Sequence, residues 1–433
     1  MDLLTANDRP GEYPPSFYAD RATHLPRFPA ATGEITCDVA IVGAGFTGLS
    51  AAWHLAQRGY DVVVVEANRV GFGASGRNGG QVGQGQRVDQ DDLEGMVGPD
   101  HARALWTIAT QAVALVRSLA DRPEIHATFH PGIIHAAHRA RYVPEEHAYA
   151  RKLQDTYGYD QIRPLGREEL RALVNSPAYH GGALDMGAGH IDPLELALGL
   201  ARLATAAGAR IHEGSKATQI DHGPKPRITT NTATITADHA ILACNGYLGT
   251  LHPGVAAHVM PINNYIVATE PLGAQAQEDL IRNKHAVADS KFVVNYFRFS
   301  DDHRLLFGGT ESYRYRFPTD IAAAVRRPMT QIFPGLKDVK ITHAWGGTLG
   351  ITMNRMPHFA RLSDNILSLS GYSGHGVAMA TLGGQIAAET IAGQAERFDT
   401  MSNVPTPRFP GGPAMRWPLL VLAMAWYSLR DRL

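Results

Sequence analysis

Hydrophobic and polar positions along the chain change period several times, and each change marks an element. The stretch "CDVAIVGAGFTGLSAAWHLAQRGYDVVVVEANRV" begins with Val39, Ile41 and Val42, a short apolar run typical of a strand buried on both faces. From Phe46 the apolar residues fall at helical spacing, with Leu49, Ala52, Leu55 and Ala56 on one stripe and Gly59 as a stop signal. Val62 to Val65 follow as a second buried parallel strand, which completes a β-α-β unit. A further helix is expected over 104–120, and "GIIHAAHRARYVPEEHAYARKLQDTYGY" reads as an exposed strand followed by a polar helix. "LELALGLARLATAAGARIHEGSKATQI" is helix, glycine stop, strand; "RITTNTATITADHAILACNGY" is a hairpin-like pair ending in the buried run Ala240 to Ala243. Residues 255–340 are rich in strand patterns, and "NILSLSGYSGHGVAMATLGGQIAAETIAG" is strand, glycine turn, helix. The first 34 residues, rich in proline and aromatics without periodicity, should wrap the surface.

Parallel α/β pieces and antiparallel pieces thus alternate, which predicts an α/β protein of two interleaved domains. A Rossmann-type parallel sheet should occupy 35–120, 190–252 and 341–395. An α+β unit with a mainly antiparallel sheet should occupy 121–189 and 253–340, with a tail over 396–433.

The chemistry begins at "GAGFTG", where Gly43, Gly45 and Gly48 form G-x-G-x-x-G around Ala44, Phe46 and Thr47. The three glycines serve a tight turn, a close backbone approach to a pyrophosphate, and helix–strand packing. The helix from Phe46 would turn free N–H groups and its positive dipole end toward that pyrophosphate. Glu66 ends the second strand beside Ala67, where an acid binds a ribose hydroxyl pair. A glycine turn with no ligand is the bland alternative; strand, helix, second strand and acid together favour a dinucleotide. Three features favour FAD over a nicotinamide cofactor. The stretch "GFGASGRNGGQVGQGQ", residues 71 to 86, supplies more backbone N–H groups where another β-α unit would be usual. "ADHAILACNGYLG" is a late buried strand ending at Gly246, and "LSGYSGHGVAMA" leads through Gly371, Gly374, Gly376 and Val377 into a helix. A helix start beside a flavin would stabilise the negative charge of its reduced ring.

Composition narrows the classes. The 433 residues carry a net charge of −1, with 44% hydrophobic and 19% charged residues and no long basic block. That describes a globular chain with nothing to favour nucleic acid. The histidines show no recurring metal-ligand spacing, so no metal is expected. His135 and His138 could meet on a helix, though two surface histidines are the plainer reading. Two cysteines, Cys37 and Cys244, and an N-terminus without a basic start or an apolar core suit a cytoplasmic protein. The apolar run from Trp417 to Tyr427 is about half of the ~20 residues a membrane span needs. It reads as a docking helix or an oligomer contact, with peripheral membrane attachment as the alternative.

Together these motifs resemble the D-amino-acid oxidase-like flavoproteins, the group that contains glycine oxidase and sarcosine oxidase. Within it "VGFGASGRNGGQ", "EYPPSFYA" and "RWPLLVLAMAWYSLRDRL" look most similar to the γ-glutamylputrescine oxidoreductases. The likeness runs from about Glu12 to the end of the chain and implies non-covalent FAD, a small-molecule amine substrate, and O2 or another electron acceptor. It implies backbone contacts to FAD from Ala74, Ser75, Arg77, Asn78 and Gly79, and from Ala217 at the adenine end. It also places "GHGV" at the flavin's pyrimidine edge. Oxidative deamination of γ-glutamylputrescine or a similar γ-glutamylated amine is the activity implied. The alternatives are D-amino-acid, sarcosine, glycine or opine oxidation on the same fold, or a non-catalytic flavin subunit.

Three departures from the family pattern bear on this. Trp345, Gly346 and Gly347 stand where some relatives carry a flavin-bound cysteine, which implies dissociable FAD. Gln81 and Gln84 stand where sarcosine oxidases place carboxylate-binding arginines, and Leu306 where they place an oxygen-activating lysine. The substrate pocket is expected to involve Gln81, Gln84, Tyr265 and Trp345, with core packing as the alternative for the two aromatics. His375 is the candidate for a catalytic role, or else a structural histidine at the helix start.

Overall fold

The computed structural model describes residues 2–312 and 315–411. The tail run from Trp417 to Tyr427 lies outside the described residues. Among the described residues no helix is long and apolar enough to cross a membrane.

Two sheets organise the chain. The first has eight strands, and its path runs His358–Ser363, Ile366–Ser370, Ala233–Leu242, Gly33–Val42, Val62–Val65, Arg210–His212. The last five of these are mutually parallel, and His358–Ser363 adds antiparallel at the edge. Arg227–Thr229 pairs antiparallel with Thr234–Thr236 of the long central strand, as the hairpin pattern predicts. Val62, Val63 and Val64 are wholly buried. Each such side chain contributes roughly 1.5–3 kcal/mol when removed from water, which is why an unbroken valine run forms an interior strand. Helices Phe46–Ala56, Pro99–Ala120, Pro193–Ala206 and Gly376–Ile391 pack against one face and share one large core with it.

The second sheet has nine strands, mainly antiparallel; its path runs Ile341–Ile351, Met260–Thr269, Leu305–Ser312, Tyr296–Phe299, Ala286–Asp289, His130–Ala136, Gly182–His190, Gln81–Val82, and Ile162–Leu165 pairs with Gly182–His190 off that path. The strand His130–Ala136 is interior to this sheet, and Ile133, Ile134 and Ala136 are buried, so it is not the exposed strand its polar residues suggested. Two segments assigned by pattern to the first unit pair instead in the second sheet. Ile341–Ile351 runs antiparallel to Met260–Thr269 over its length, and Gln81–Val82 pairs with His190 and Gly189. Periodicity reports that a segment is a strand; the edge it joins depends on distant partners. These two crossings stitch the units together, and the cavity opens along the seam.

The N-terminal segment does more than wrap the surface. Phe17 and Tyr18 are buried, Asp2, Leu3 and Leu4 reach the cavity wall, and Asn7 donates to the carbonyl of Tyr315.

Candidate functional site

A cavity of about 1110 Å³ lies between the two sheets. That is at or above the upper end of ordinary small-molecule sites, about 300–1,000 Å³, so it has room for more than one small ligand. Its floor is the G-x-G-x-x-G turn. Gly43 sits at φ +106°, in the region that favours glycine. A Cβ on Gly48 would fall 1.9 Å from the Gly43 carbonyl, so this glycine is required for helix and strand to meet. Gly45 caps the helix Phe46–Ala56 with no side chain of its own, and the Ser75 hydroxyl accepts from Phe46 N–H at 3.0 Å. Glu66 is half-buried, and its carboxylate accepts from the backbone N–H groups of Ala44 at 2.8 Å and Asn68 at 2.9 Å. Burial raises its pKa, and those donors oppose the rise.

Gly43, Gly45, Phe46, Thr47, Glu66, Ala67, Ala217 and Gly246 line one end of this cavity. Ala44 and Gly48 do not reach it: the first hands its N–H to Glu66 and the second faces the strand behind. Gly371 also stands off the wall at φ +73°, where a Cβ would meet Thr352 at 2.5 Å; it shapes the turn before the last helix.

The glycine loop forms the next part of the wall. Ala74, Ser75, Arg77, Asn78 and Gly79 all line the cavity. Asn78 closes the loop on itself by donating to the carbonyls of Ala74 and Ser75 and accepting from Gly80 N–H. The Arg77 side chain is committed elsewhere. It donates to the Phe72 carbonyl at 2.6 Å, pairs with Asp8 at 2.8 Å, and lies 4.3 Å from the Phe72 ring centroid. Its backbone N–H and carbonyl are bonded as well, to Ala74 and to the Trp345 indole, and only Nη2 is left without a hydrogen-bond partner.

The far wall is the start of helix Gly376–Ile391, with Gly374, His375, Gly376 and Val377. His375 occupies the N-cap position without capping it; its Nε2 contacts the Gly85 carbonyl at 3.0 Å. Burial and the Arg87 guanidinium push its pKa down to about 4, so at neutral pH the ring is uncharged and donates to Gly85.

The expected substrate residues divide. Gln81 lines the cavity, with its carboxamide donating to the Val287 carbonyl at 2.8 Å. Gln84 is turned away from the cavity and meets Tyr159. Tyr265 is 1% exposed in the second core and packs edge-on against Phe317, off the cavity wall. Trp345 is equally buried; its indole donates to the Arg77 carbonyl at 2.9 Å and so supports the glycine loop from behind. In a strand, successive side chains take opposite faces: Trp345, paired with Ile266, packs in the first core, and Tyr265 takes the other face, in the second. Leu306 is a core residue, 2% exposed.

Other wall residues carry no motif. Tyr296 donates to Asn264 Oδ1, and burial holds its hydroxyl protonated. His135, on a strand and not on a helix with His138, lines the cavity, as do Arg87, Glu311 and Arg355. Nothing in their local spacing announces them, because they come from four separate segments.

This donor set fits FAD. Two helix starts whose N-cap residues, Gly45 and His375, give no side-chain cap of their own open on one cavity that the half-buried Glu66 carboxylate also lines. A pyrophosphate suits the first start and an electron-rich ring edge the second.

Comparison with known proteins agrees. The chain is 44% identical over 418 residues to a probable oxidoreductase, OrdL, of Rhizobium meliloti, covering 96% of this chain and 97% of that protein. It is 40% identical over 425 residues to the gamma-glutamylputrescine oxidoreductase of Escherichia coli, covering 98% and 99%. The crystal structure of glycine oxidase from Geobacillus kaustophilus superposes with a TM-score of 0.71 at 20% identity, over 83% of this chain and 95% of that one. The family model for DAO, FAD dependent oxidoreductase, matches residues 38–390, and the chain therefore belongs to the DAO family of FAD-dependent oxidoreductases.

Proposed function

We propose that the protein oxidatively deaminates an amine of the γ-glutamylputrescine type, giving an aldehyde and ammonia and acting in putrescine breakdown in the cytoplasm. The observation that carries this reading is the neutral side chain at one wall position, Gln81, just past the glycine loop. Gln81 lines the cavity with its amide already bonded to Val287, so no cation at that position awaits a carboxylate next to the reacting carbon. The likeness to the E. coli enzyme over nearly the full length supports it.

FAD, when bound, supplies the acceptor for two electrons. Gly43, Gly45 and Glu66 would hold its adenosine and pyrophosphate, and Ala74, Ser75 and Gly79 would flank the remainder. The amine loses a proton from nitrogen and a hydride from the neighbouring carbon; the resulting imine adds water, its C–N bond breaks, and ammonia leaves. The chain's part is orientation in a cavity whose wall the N-terminal segment helps to form. His375, neutral and donating to Gly85, fixes the helix start and transfers no proton in the reaction. FAD is held without a covalent bond, because Trp345, Gly346 and Gly347 offer no thiol. O2 or another acceptor takes the electrons; the core side chain of Leu306 supplies no charge for O2.

Anaerobic addition of amines to the yellow protein tests this. Bleaching by γ-glutamylputrescine and not by D-alanine is expected. The reverse, or no bleaching by either, would overturn the reading. Admitting air afterwards separates an oxidase from a dehydrogenase.

A further inference from the structure

Arg87 and Arg355 come from distant segments, yet both line the cavity, and among the described residues neither has a carboxylate within salt-bridge distance. Arg87 follows the glycine loop and its side chain is open to the cavity; Arg355 is half-buried in the turn after Ile341–Ile351. Arg355 holds φ +66°, an unusual backbone for a long side chain, in a turn tied by Thr352 Oγ1 to the Met356 carbonyl at 2.7 Å. Its guanidinium rests 5.4 Å from the Phe292 ring centroid, which fixes its direction. Surroundings largely made of protein, and then the Arg355 charge, lower the Arg87 pKa, while Asp89 and Glu311 oppose this. Two guanidinium groups that repel each other on one wall are relieved when an anion sits between them.

We propose that Arg87 and Arg355 form a carboxylate subsite on the cavity wall, which holds the end of the substrate remote from its reacting amine. This rests on the reading of the substrate as a γ-glutamylated amine: the glutamyl head carries an α-carboxylate at the opposite end of the molecule.

The test is calorimetric binding to the FAD-loaded protein, which needs no turnover. The ligands are γ-glutamylbutylamide, which has the head and no oxidisable amine, and its decarboxylated analogue 4-aminobutyrylbutylamide. Wild type should prefer the carboxylate by about tenfold or more, which is ~1.4 kcal/mol per factor of ten. R87Q and R355Q should each lose most of that preference. Equal binding of the two ligands by wild type, no binding of either, or an unchanged preference in both variants would overturn the subsite. If R87Q fails to load FAD, R355Q alone decides, because its turn lies outside the glycine loop. A wild type that keeps the preference but is not bleached by γ-glutamylputrescine would refute the proposed reaction and leave the subsite standing. Bleaching without the preference would do the opposite.

Discussion

Arg77 Nη1 stands 2.8 Å from Asp8 Oδ2, with both side chains buried, so the N-terminal segment is locked to the glycine loop by an ion pair. The carbonyl of Gly346 takes a second bond from the same nitrogen at 3.2 Å. The charge of this arginine is thus spent on holding the N-terminal segment to the glycine loop. Asp8→Ala would leave a buried guanidinium with its partner removed, which costs about 3–5 kcal/mol. Thermal unfolding should show the loss, and flavin should dissociate more readily. An unchanged melting temperature and an unchanged FAD affinity would remove the lock from the account.

Gly79 faces Tyr296 in the same seam, and a Cβ there would fall 2.7 Å from the tyrosine ring. Gly79→Val therefore has to push Tyr296 off Asn264 or bend the loop, an overpacking cost of roughly 1–3 kcal/mol. The variant should purify with much less flavin per chain than wild type, and Tyr296→Ala added to it should restore part of that. Full flavin content in the single variant, read from its absorbance ratio, would contradict this.

Glu66 gives one oxygen to Ala44 N–H and the other to Asn68 N–H, so its position at the end of its strand is fixed before any ligand arrives. Glu66→Ala removes both acceptors. A charge-assisted hydrogen bond is worth about 1.5–3 kcal/mol, so FAD binding to the apoprotein should weaken by about 10- to 100-fold. Fluorescence titration of FAD measures it directly.

Acid precipitation should leave the pellet colourless and the flavin in solution, since the segment around Trp345 carries no cysteine. Yellow colour in the pellet would mean a covalent link at some other residue.

His358 is 8% exposed and stacks on His258 with ring centroids 4.5 Å apart. Burial, then the neighbouring imidazole, lowers its pKa to about 4. Protonation therefore favours the unfolded chain, where the value is near 6.5. The stability this neutral ring contributes is present above about pH 6.5 and is lost as pH falls toward 4, by up to about 3 kcal/mol. His358→Phe keeps the stack and removes the charge, so denaturant unfolding of that variant should vary less with pH across this window.

The sequence by itself determined the β-α-β unit and the cradle at Gly43, Gly45 and Gly48, because their causes are local. A valine run, a helical stripe and a glycine turn each act within a few residues, and Glu66 follows at a fixed distance along the strand. Only the tertiary structure decided which side chains face the cavity. Gln81 and Gln84 are three residues apart, yet one lines the wall and the other turns away to Tyr159. Tyr265 and Trp345 read as well for a pocket as for a core, and the face each takes was set by partners far along the chain. Arg87, His135, Glu311 and Arg355 meet only because two interleaved sheets bring their segments to one seam, and no local pattern records a meeting between residues so far apart in the chain.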